Sequence, residues 1–189
     1  MKIQRRPSNV LLPVPLVMVS VAGVDGGDPD IVTLAWVGNV CSAPPMLSIS
    51  LRPSRHSYGL LQRTHEFVVN VPTRSQAREV DLCGNVSGRD TDKFAATGLT
   101  AVRSDLVDAP YVQEFPLVLE CRVVQIHELG LHTQFVGQIL DVKTDEEALD
   151  GAGQPDILKV LPLIFSPGNR EYYGVGSALG HAFAVGKEI

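Results

Sequence analysis

Apolar and polar residues recur in short blocks along most of this chain, a pattern typical of β-strands. In Met46–Arg52 the apolar residues alternate with serines, as in a strand with one buried face. Leu16–Val24 and Ile31–Val37 are rich in β-branched residues and flank the turn sequence DGGDP, so we expect them to pair as a hairpin. Glu66–Val71 predicts a further strand, which Pro72 ends.

Helices are predicted to be few and short. The sequence predicts them over Ser57–Arg63 and Thr91–Ala96. Thr73, with Gln76 three residues later, indicates the start of a third helix, which we expect to end at Gly84.

The second half of the chain predicts two long strands and two short ones. Pro116–His127 and His132–Thr144 flank a glycine-containing turn, and Pro162–Ser166 and Glu171–Val175 follow as short closing strands. Many strands with few, short helices favour a mainly β fold, a β-barrel with inserted helices, over alternating βαβ units.

Composition narrows the class of protein. Hydrophobic residues make up 44% of the 189 residues and charged residues 20%, as in an ordinary globular domain. A net charge of −5 argues against a general nucleic-acid binder, and no apolar run reaches the ~20 residues of a membrane span. Three widely spaced cysteines indicate reduced thiols and a cytoplasmic protein.

The first residues have the outline of a secretory signal, a basic start followed by an apolar run. Pro13 and Pro15 interrupt that run, however, and Leu16–Ala22 also suits a buried strand. We favour the strand.

The loop after the Met46–Arg52 strand carries the clearest candidate chemistry. It brings Arg52, Arg55 and His56 together with the hydroxyls of Ser54 and Ser57, just where a helix begins. Guanidinium groups and helix N-termini both bind phosphate. The loop therefore predicts an anion pocket, with a solvated basic turn as the alternative.

Three other segments could contribute to the same site. The loop from Ser87 to Lys93 adds cations before a helix, although a capped surface helix explains it as well. The tryptophan of Thr33–Trp36 follows small residues that would let a flat ring lie against the backbone, or it is a core aromatic. His132 opens a long strand and is otherwise a structural histidine.

Several sources of catalysis are not indicated. The chain has no GxGxxG before a helix, no GxxxxGK[ST] loop and no GxSxG elbow. Its five histidines lack the spacing of a metal site. Any chemistry is then expected to come from a bound cofactor.

The order of these segments resembles the flavin reductase-like FMN-binding split-barrel family, in particular its flavoredoxin branch. The resemblance extends from Pro13 to Val175 and includes the PxPLV start, SAPPML at 42–47, EFVVNV at 66–71, SGRDTDKF at 87–94 and HxxxxG at 132–137. It implies one domain over residues 1–189, a Greek-key split barrel with a tail at 176–189, and a homodimer with FMN near the interface.

The resemblance also implies roles for particular residues. Thr33, Leu34, Ala35 and Trp36 would border the flavin ring; Ser50, Leu51 and Arg52 would follow the ribityl chain; Arg55, His56, Ser57, Ser87 and Lys93 would hold the phosphate. Flavin reductases of this family often carry Gly-Asp-His, associated with NADH or NADPH, where this chain has Gly130-Leu131-His132, so His132 is a candidate on the nicotinamide side.

The resemblance implies an FMN-dependent oxidoreductase that takes electrons from a reduced nicotinamide or a protein donor. The acceptor would be free flavin, a ferric complex or a partner protein. A non-catalytic electron carrier is the second hypothesis. A barrel that holds another ligand, such as haem, is the third.

Overall fold

The computed structural model describes residues 1–188. Within them the strands are β1 (Val14–Pro15), β2 (Val17–Val21), β3 (Asp30–Leu34), β4 (Val37–Ser42), β5 (Pro45–Leu51), β6 (Glu66–Val71), β7 (Ala101–Val102), β8 (Tyr111–Val112), β9 (Leu117–Glu128), β10 (Thr133–Thr144), β11 (Leu163–Ser166) and β12 (Glu171–Gly174). The α-helices are α1 (His56–Thr64), α2 (Ala77–Asn85), α3 (Lys93–Thr97) and α4 (Ile157–Val160). Short 3₁₀ turns occupy Arg74–Gln76, Glu146–Ala148 and Val185–Glu188.

A seven-stranded antiparallel sheet in the order β3-β2-β6-β9-β10-β5-β4 dominates the fold. Its two edge strands, β3 and β4, are consecutive in the chain and are joined only by Ala35 and Trp36. The sheet must therefore curl until its edges meet. The amide of Ser50 donates to the carbonyl of Trp36 at 2.9 Å, which extends the pairing of β4 with β5 up to this connection. The predicted mainly β barrel with short helices is confirmed.

Both faces of the barrel wall are buried near its first strands. Val17, Val19 and Val21 belong to the interior cluster, which also contains Phe67 and Phe135. Met18 belongs instead to a second cluster, formed with α2 and the loop that leads to β8. This arrangement explains the near-continuous apolar run of β2, because a strand covered on both faces does not alternate.

A buried carboxylate fastens that loop to the barrel. Glu120 is fully buried and accepts the backbone N–H groups of Asp105 and Leu106 at 3.2 and 2.7 Å. Lys143 donates to it at 2.6 Å and also bonds Asp141. Burial alone would lower the pKa of Lys143, but its bonds to these carboxylates outweigh burial and raise it.

Most predicted elements are present, with shifted ends. The β2–β3 hairpin forms as expected, and β6 has the predicted bounds. The strand predicted over Leu16–Val24 corresponds to β2, which ends at Val21, three residues earlier than predicted. Helix α2 continues through Gly84 to Asn85. The capping box of Thr73 and Gln76 is present, although it opens a 3₁₀ turn before α2.

Strand β4 was not predicted, because most of its residues are exposed and it has no alternating apolar face. The short β7, β8 and α4 were missed as well, since two to four residues carry little periodic signal. In the poorly patterned tail, residues 176–184 form neither helix nor strand. Ile189, the last residue of that tail, lies outside the described residues. No helix within residues 1–188 is both long and apolar enough to cross a bilayer.

Candidate functional site

Two adjoining cavities lie where β3, β5 and α1 meet. The first, here called the basic cavity, has a volume of about 130 Å³ and is lined by Val32, Arg52, Ser54, Arg55, His56, Ser57, Val86, Ser87 and Lys93. The second, here called the tryptophan cavity, has a volume of about 210 Å³ and is lined by Thr33, Leu34, Ala35, Trp36, Ser50, Arg52, Arg55 and His132. Arg52 and Arg55 line both, so the two cavities are neighbours that share two cationic side chains.

The basic cavity is built on the start of α1. After β5 the chain turns through a hydrogen bond of 3.0 Å from the amide of Arg55 to the carbonyl of Arg52. The helix then begins at His56, and no side chain caps it. The first backbone N–H groups of a helix have no partner within the helix and carry the positive end of its dipole. This uncapped end therefore offers donors to an anion.

Arg52 and Arg55 supply the positive charge of the site. Both are exposed, and neither pairs with a carboxylate among the residues that the structure describes. Two unpaired guanidinium groups beside an uncapped helix start form a strong phosphate-binding arrangement. The residues of the predicted anion pocket thus line one cavity.

Lys93 and Ser57 reach the basic cavity, but their polar atoms are already bonded. The Nζ of Lys93 lies 3.0 Å from the carboxylate of Asp30 and donates to the carbonyl of Ile31 at 2.6 Å. The hydroxyl of Ser57 donates to Asp30 at 2.5 Å. Their predicted contacts with a phosphate stay a prediction, and both side chains would share these polar atoms with Asp30, because a buried ammonium must be paired.

Leu51 also differs from its expected place. Its side chain is 1% exposed and packs in the barrel interior, because successive residues of β5 point to opposite faces. Ser50 lines the tryptophan cavity instead. Only the backbone of Leu51 is available to a ligand there.

Trp36 and His132 form one wall of the tryptophan cavity. Their rings meet edge to face, with centroids 6.4 Å apart and an interplanar angle of 87°. The Nε of Arg52 donates to Nε2 of His132 at 3.4 Å. Burial and the neighbouring guanidinium lower the pKa of His132 below its usual value, which favours a neutral imidazole.

The hydroxyls of Thr33 and Ser87 hydrogen-bond to backbone groups and hold the segments around the site in place. The hydroxyl of Thr33 donates to the carbonyl of Val80 at 2.5 Å, which ties β3 to α2. The hydroxyl of Ser87 accepts the amide of Arg89 at 3.2 Å and holds the turn beside the basic cavity. All the site residues predicted from the sequence except Leu51 line one of the two cavities.

Asp30 was missed from the sequence, and Gly88 was recognised only as part of the SGRDTDKF segment. Asp30 follows the turn sequence DGGDP, where an aspartate is unremarkable, and only the fold shows that it is buried. A Cβ atom on Gly88 would lie 2.9 Å from Cδ2 of His56 and closer still to the Asp30 carboxylate. The sequence places Gly88 in a turn, but only the fold shows that this turn packs against Asp30 and His56.

The site is complementary to a mononucleotide with a flat ring. One end offers guanidinium groups and free N–H groups to a phosphate, and the other offers an aromatic wall. FMN carries one phosphate and a tricyclic ring, so the residues present fit it. A chain with this barrel and this site is a split-barrel flavoprotein.

The comparisons place the protein in a family. The model of the flavin reductase like domain matches residues 10–174, and the chain belongs to that family. The flavoredoxin of Desulfovibrio vulgaris (Miyazaki F) superposes with a TM-score of 0.93 at 42% identity, covering 98% of this chain and 100% of that one. The flavoredoxin of Methanosarcina acetivorans gives 0.91 at 31% identity, covering 100% and 99%.

An uncharacterized protein of Archaeoglobus fulgidus is 38% identical over 72% of this chain and 75% of its own length. The split-barrel fold and the likeness to flavoredoxins, both expected from the order of the motifs, are confirmed.

Proposed function

We propose that this protein is an FMN-dependent oxidoreductase. FMN would lie with its phosphate in the basic cavity and its ring in the tryptophan cavity. The observation that carries the proposal is that Arg52 and Arg55 line both cavities, which brings the cationic end of the site beside its aromatic wall. When bound, FMN supplies reversible electron transfer, and the protein supplies binding and orientation.

The basic cavity favours a flavin with a single phosphate. Its volume of about 130 Å³ is small, and its lining includes Lys93, which is paired with the buried Asp30. Arg52, Arg55 and the free N–H groups at the start of α1 would neutralise the phosphate from several directions. These features support FMN over riboflavin, which lacks the charged group.

The tryptophan cavity would hold the ring close to solvent. Trp36 would border the ring, and the neutral imidazole of His132 would lie on the side open to a reaction partner. Arg52 orients this imidazole through the bond to Nε2. No side chain here is required to act as a strong acid or base.

The donor would be reduced nicotinamide or a reduced protein, and the acceptor would be free flavin, a ferric complex or a partner protein. Membership of the flavin reductase-like family supports an enzyme that turns over such a donor and acceptor. Leu131 favours the second candidate, an electron carrier without turnover of its own, since it replaces the aspartate that precedes histidine in many flavin reductases. Two of the similar solved structures are named flavoredoxins, which supports the carrier equally.

A spectroscopic titration separates these readings. The purified protein is titrated with FMN and then with NADH or NADPH, and flavin absorbance is followed. Steady oxidation of the nicotinamide with free FMN or a ferric chelate supports the reductase and contradicts the carrier. Binding of FMN without nicotinamide oxidation supports the carrier. A protein that binds no flavin contradicts both and leaves a barrel for another ligand.

We also propose a homodimer with FMN near the interface. Leu129 and Leu131, 61% and 65% exposed, lie at the hairpin tip beside His132, and Val124 and Ile126 extend this apolar surface along β9. Burial of such a surface against a second copy stabilises a dimer. Light scattering of the purified protein tests this: a mass of one chain contradicts it.

The three free cysteines are in keeping with a cytoplasmic location.

A further inference from the structure

A single buried carboxylate joins the two loops that border the basic cavity. Asp30, at the start of β3, is 4% exposed. One of its oxygens accepts the hydroxyl of Ser57 at 2.5 Å, and the other lies 3.0 Å from Nζ of Lys93. Ser57 belongs to the first turn of α1, and Lys93 begins α3. Asp30 therefore bonds to both helices at the ends that face the cavity.

The turn between α2 and α3 packs on the same carboxylate. Any side chain at Gly88 would run into Asp30 and into the ring of His56, 2.9 Å from the position of a Cβ atom. The turn can approach this closely only because residue 88 has no side chain. Asp30 thus fixes the distance between the Ser87 turn and the start of α1.

The pairing also sets the charge of the cavity. Lys93 and Asp30 are both 3% exposed at their side chains and together carry no net charge. The ammonium is held at the carboxylate and at the carbonyl of Ile31. The net positive charge that a phosphate meets then comes from Arg52 and Arg55, at the exposed side of the cavity.

We propose that Asp30 is the positioning residue of the phosphate site. It does not touch the ligand; it acts through Ser57 and Lys93, which hold the first turn of α1 and the start of α3 at the spacing a phosphate requires. The inference rests on the proposed function, because it assumes a flavin that carries a phosphate. The expected consequence is specific to the phosphate. Loss of the Asp30 contacts weakens the binding of FMN and leaves unaffected the binding of riboflavin, which has no phosphate.

The experiment measures the preference for FMN over riboflavin, as the ratio of their dissociation constants from quenching of flavin fluorescence. Ser57→Ala removes one contact of Asp30 and leaves the ion pair intact. Asp30→Val/Lys93→Met replaces the buried pair with apolar residues of similar size, a change that folded proteins often accept. We expect each to lower the preference about tenfold, with riboflavin affinity within about twofold of wild type.

A third variant, Ser57→Ala/Asp30→Val/Lys93→Met, tests whether Ser57 acts through Asp30. If it does, adding Ser57→Ala to the pair variant lowers the preference by less than about twofold, since residues that share one contact are not additive. A further tenfold loss shows that the Ser57 hydroxyl binds the phosphate itself and overturns the inference. An unchanged preference in Ser57→Ala overturns it too, because Lys93 alone then accounts for any effect of the pair.

Folding and function are kept apart in this design. Circular dichroism and thermal unfolding report whether each variant folds. If the pair variant does not fold, Asp30→Ala/Lys93→Met takes its place in the same comparisons, with and without Ser57→Ala, because it also removes both charges and leaves a smaller side chain at residue 30. A wild-type protein that binds neither flavin contradicts the proposed function, whereas a wild type that prefers FMN with variants that keep this preference contradicts only the role of Asp30.

Discussion

The Nε of Arg52 donates to Nε2 of His132 across 3.4 Å, and this contact joins the phosphate end of the site to its ring end. An imidazole accepts such a bond only when that nitrogen carries no proton. Arg52 therefore selects the neutral form of His132. The same arginine also lines both cavities, so one side chain links binding of the anion to the state of the histidine.

The first prediction concerns the pKa of His132. Burial, and then the charge of Arg52, lower it below the usual value of 6.5. The unfolded chain therefore binds a proton at a higher pH than the folded one. The stabilising effect of the neutral imidazole is complete above pH 6.5 and is lost as the pH falls through the folded pKa.

Imidazole resonances in an NMR titration measure this pKa. We expect a value below 6.5 in the wild type and a higher value in Arg52→Ala, which removes the second cause. A His132 pKa at or above 6.5 in the wild type would contradict the contact with Arg52.

The second prediction concerns the guanidinium groups. Arg55→Ala removes a charged donor from both cavities. We expect it to lower the affinity for FMN about 10- to 100-fold, because a charged hydrogen bond is lost. The matched control is Arg63→Ala near the far end of α1, where the guanidinium pairs with exposed Asp25 at 2.9 Å. Calorimetric titration of FMN should separate the two variants. Equal affinities would refute the phosphate assignment.

The third prediction concerns the tight turn over Asp30. Gly88→Ala forces a methyl group against His56 and the Asp30 carboxylate. Because the turn must shift, we expect a loss of about 1–3 kcal/mol in the free energy of unfolding and weaker FMN binding. Gly59→Ala in α1 is the control, as nothing lies within 4 Å of the new Cβ atom.

Urea unfolding measures both glycine variants. Gly59→Ala should raise the free energy of unfolding by about 0.5–1 kcal/mol, because alanine favours a helix. A Gly88→Ala protein as stable as the wild type would show that the turn is not packed as described.

The fourth prediction concerns the buried carboxylate of the barrel wall. Lys143→Met leaves Glu120 without its cation, and Glu120 is fully buried. Loss of one partner of a buried pair costs about 3–5 kcal/mol; because the Lys143 side chain is 29% exposed, we expect a smaller loss, about 2 kcal/mol. Arg63→Met, which breaks an exposed pair, should change stability by less than about 1 kcal/mol. Similar results for both variants would contradict this reading of Glu120.

The sequence predicted the parts of the fold that have strong periodicity or turn chemistry. Alternation revealed β5, and the capping box of Thr73 and Gln76 marked the approach to α2. Strand β4 was not predicted, because it is an edge strand with mostly exposed residues and therefore has no apolar pattern.

The site was predictable where charge and spacing carry the information. Arg52, Arg55 and His56 share one loop, so their meeting is local. Asp30 is 27 residues from Ser57 and 63 from Lys93, and the fold alone brings the three together. The sequence therefore predicted a contact of Lys93 with the ligand but not its ion pair with Asp30.

A crystal structure of the protein grown with FMN shows whether one flavin occupies both cavities. We expect phosphate oxygens about 3 Å from the N–H groups at the start of α1 and from Arg55, with the ring against Thr33–Trp36. A flavin bound with its phosphate elsewhere, or a ring away from Trp36 and His132, would contradict it.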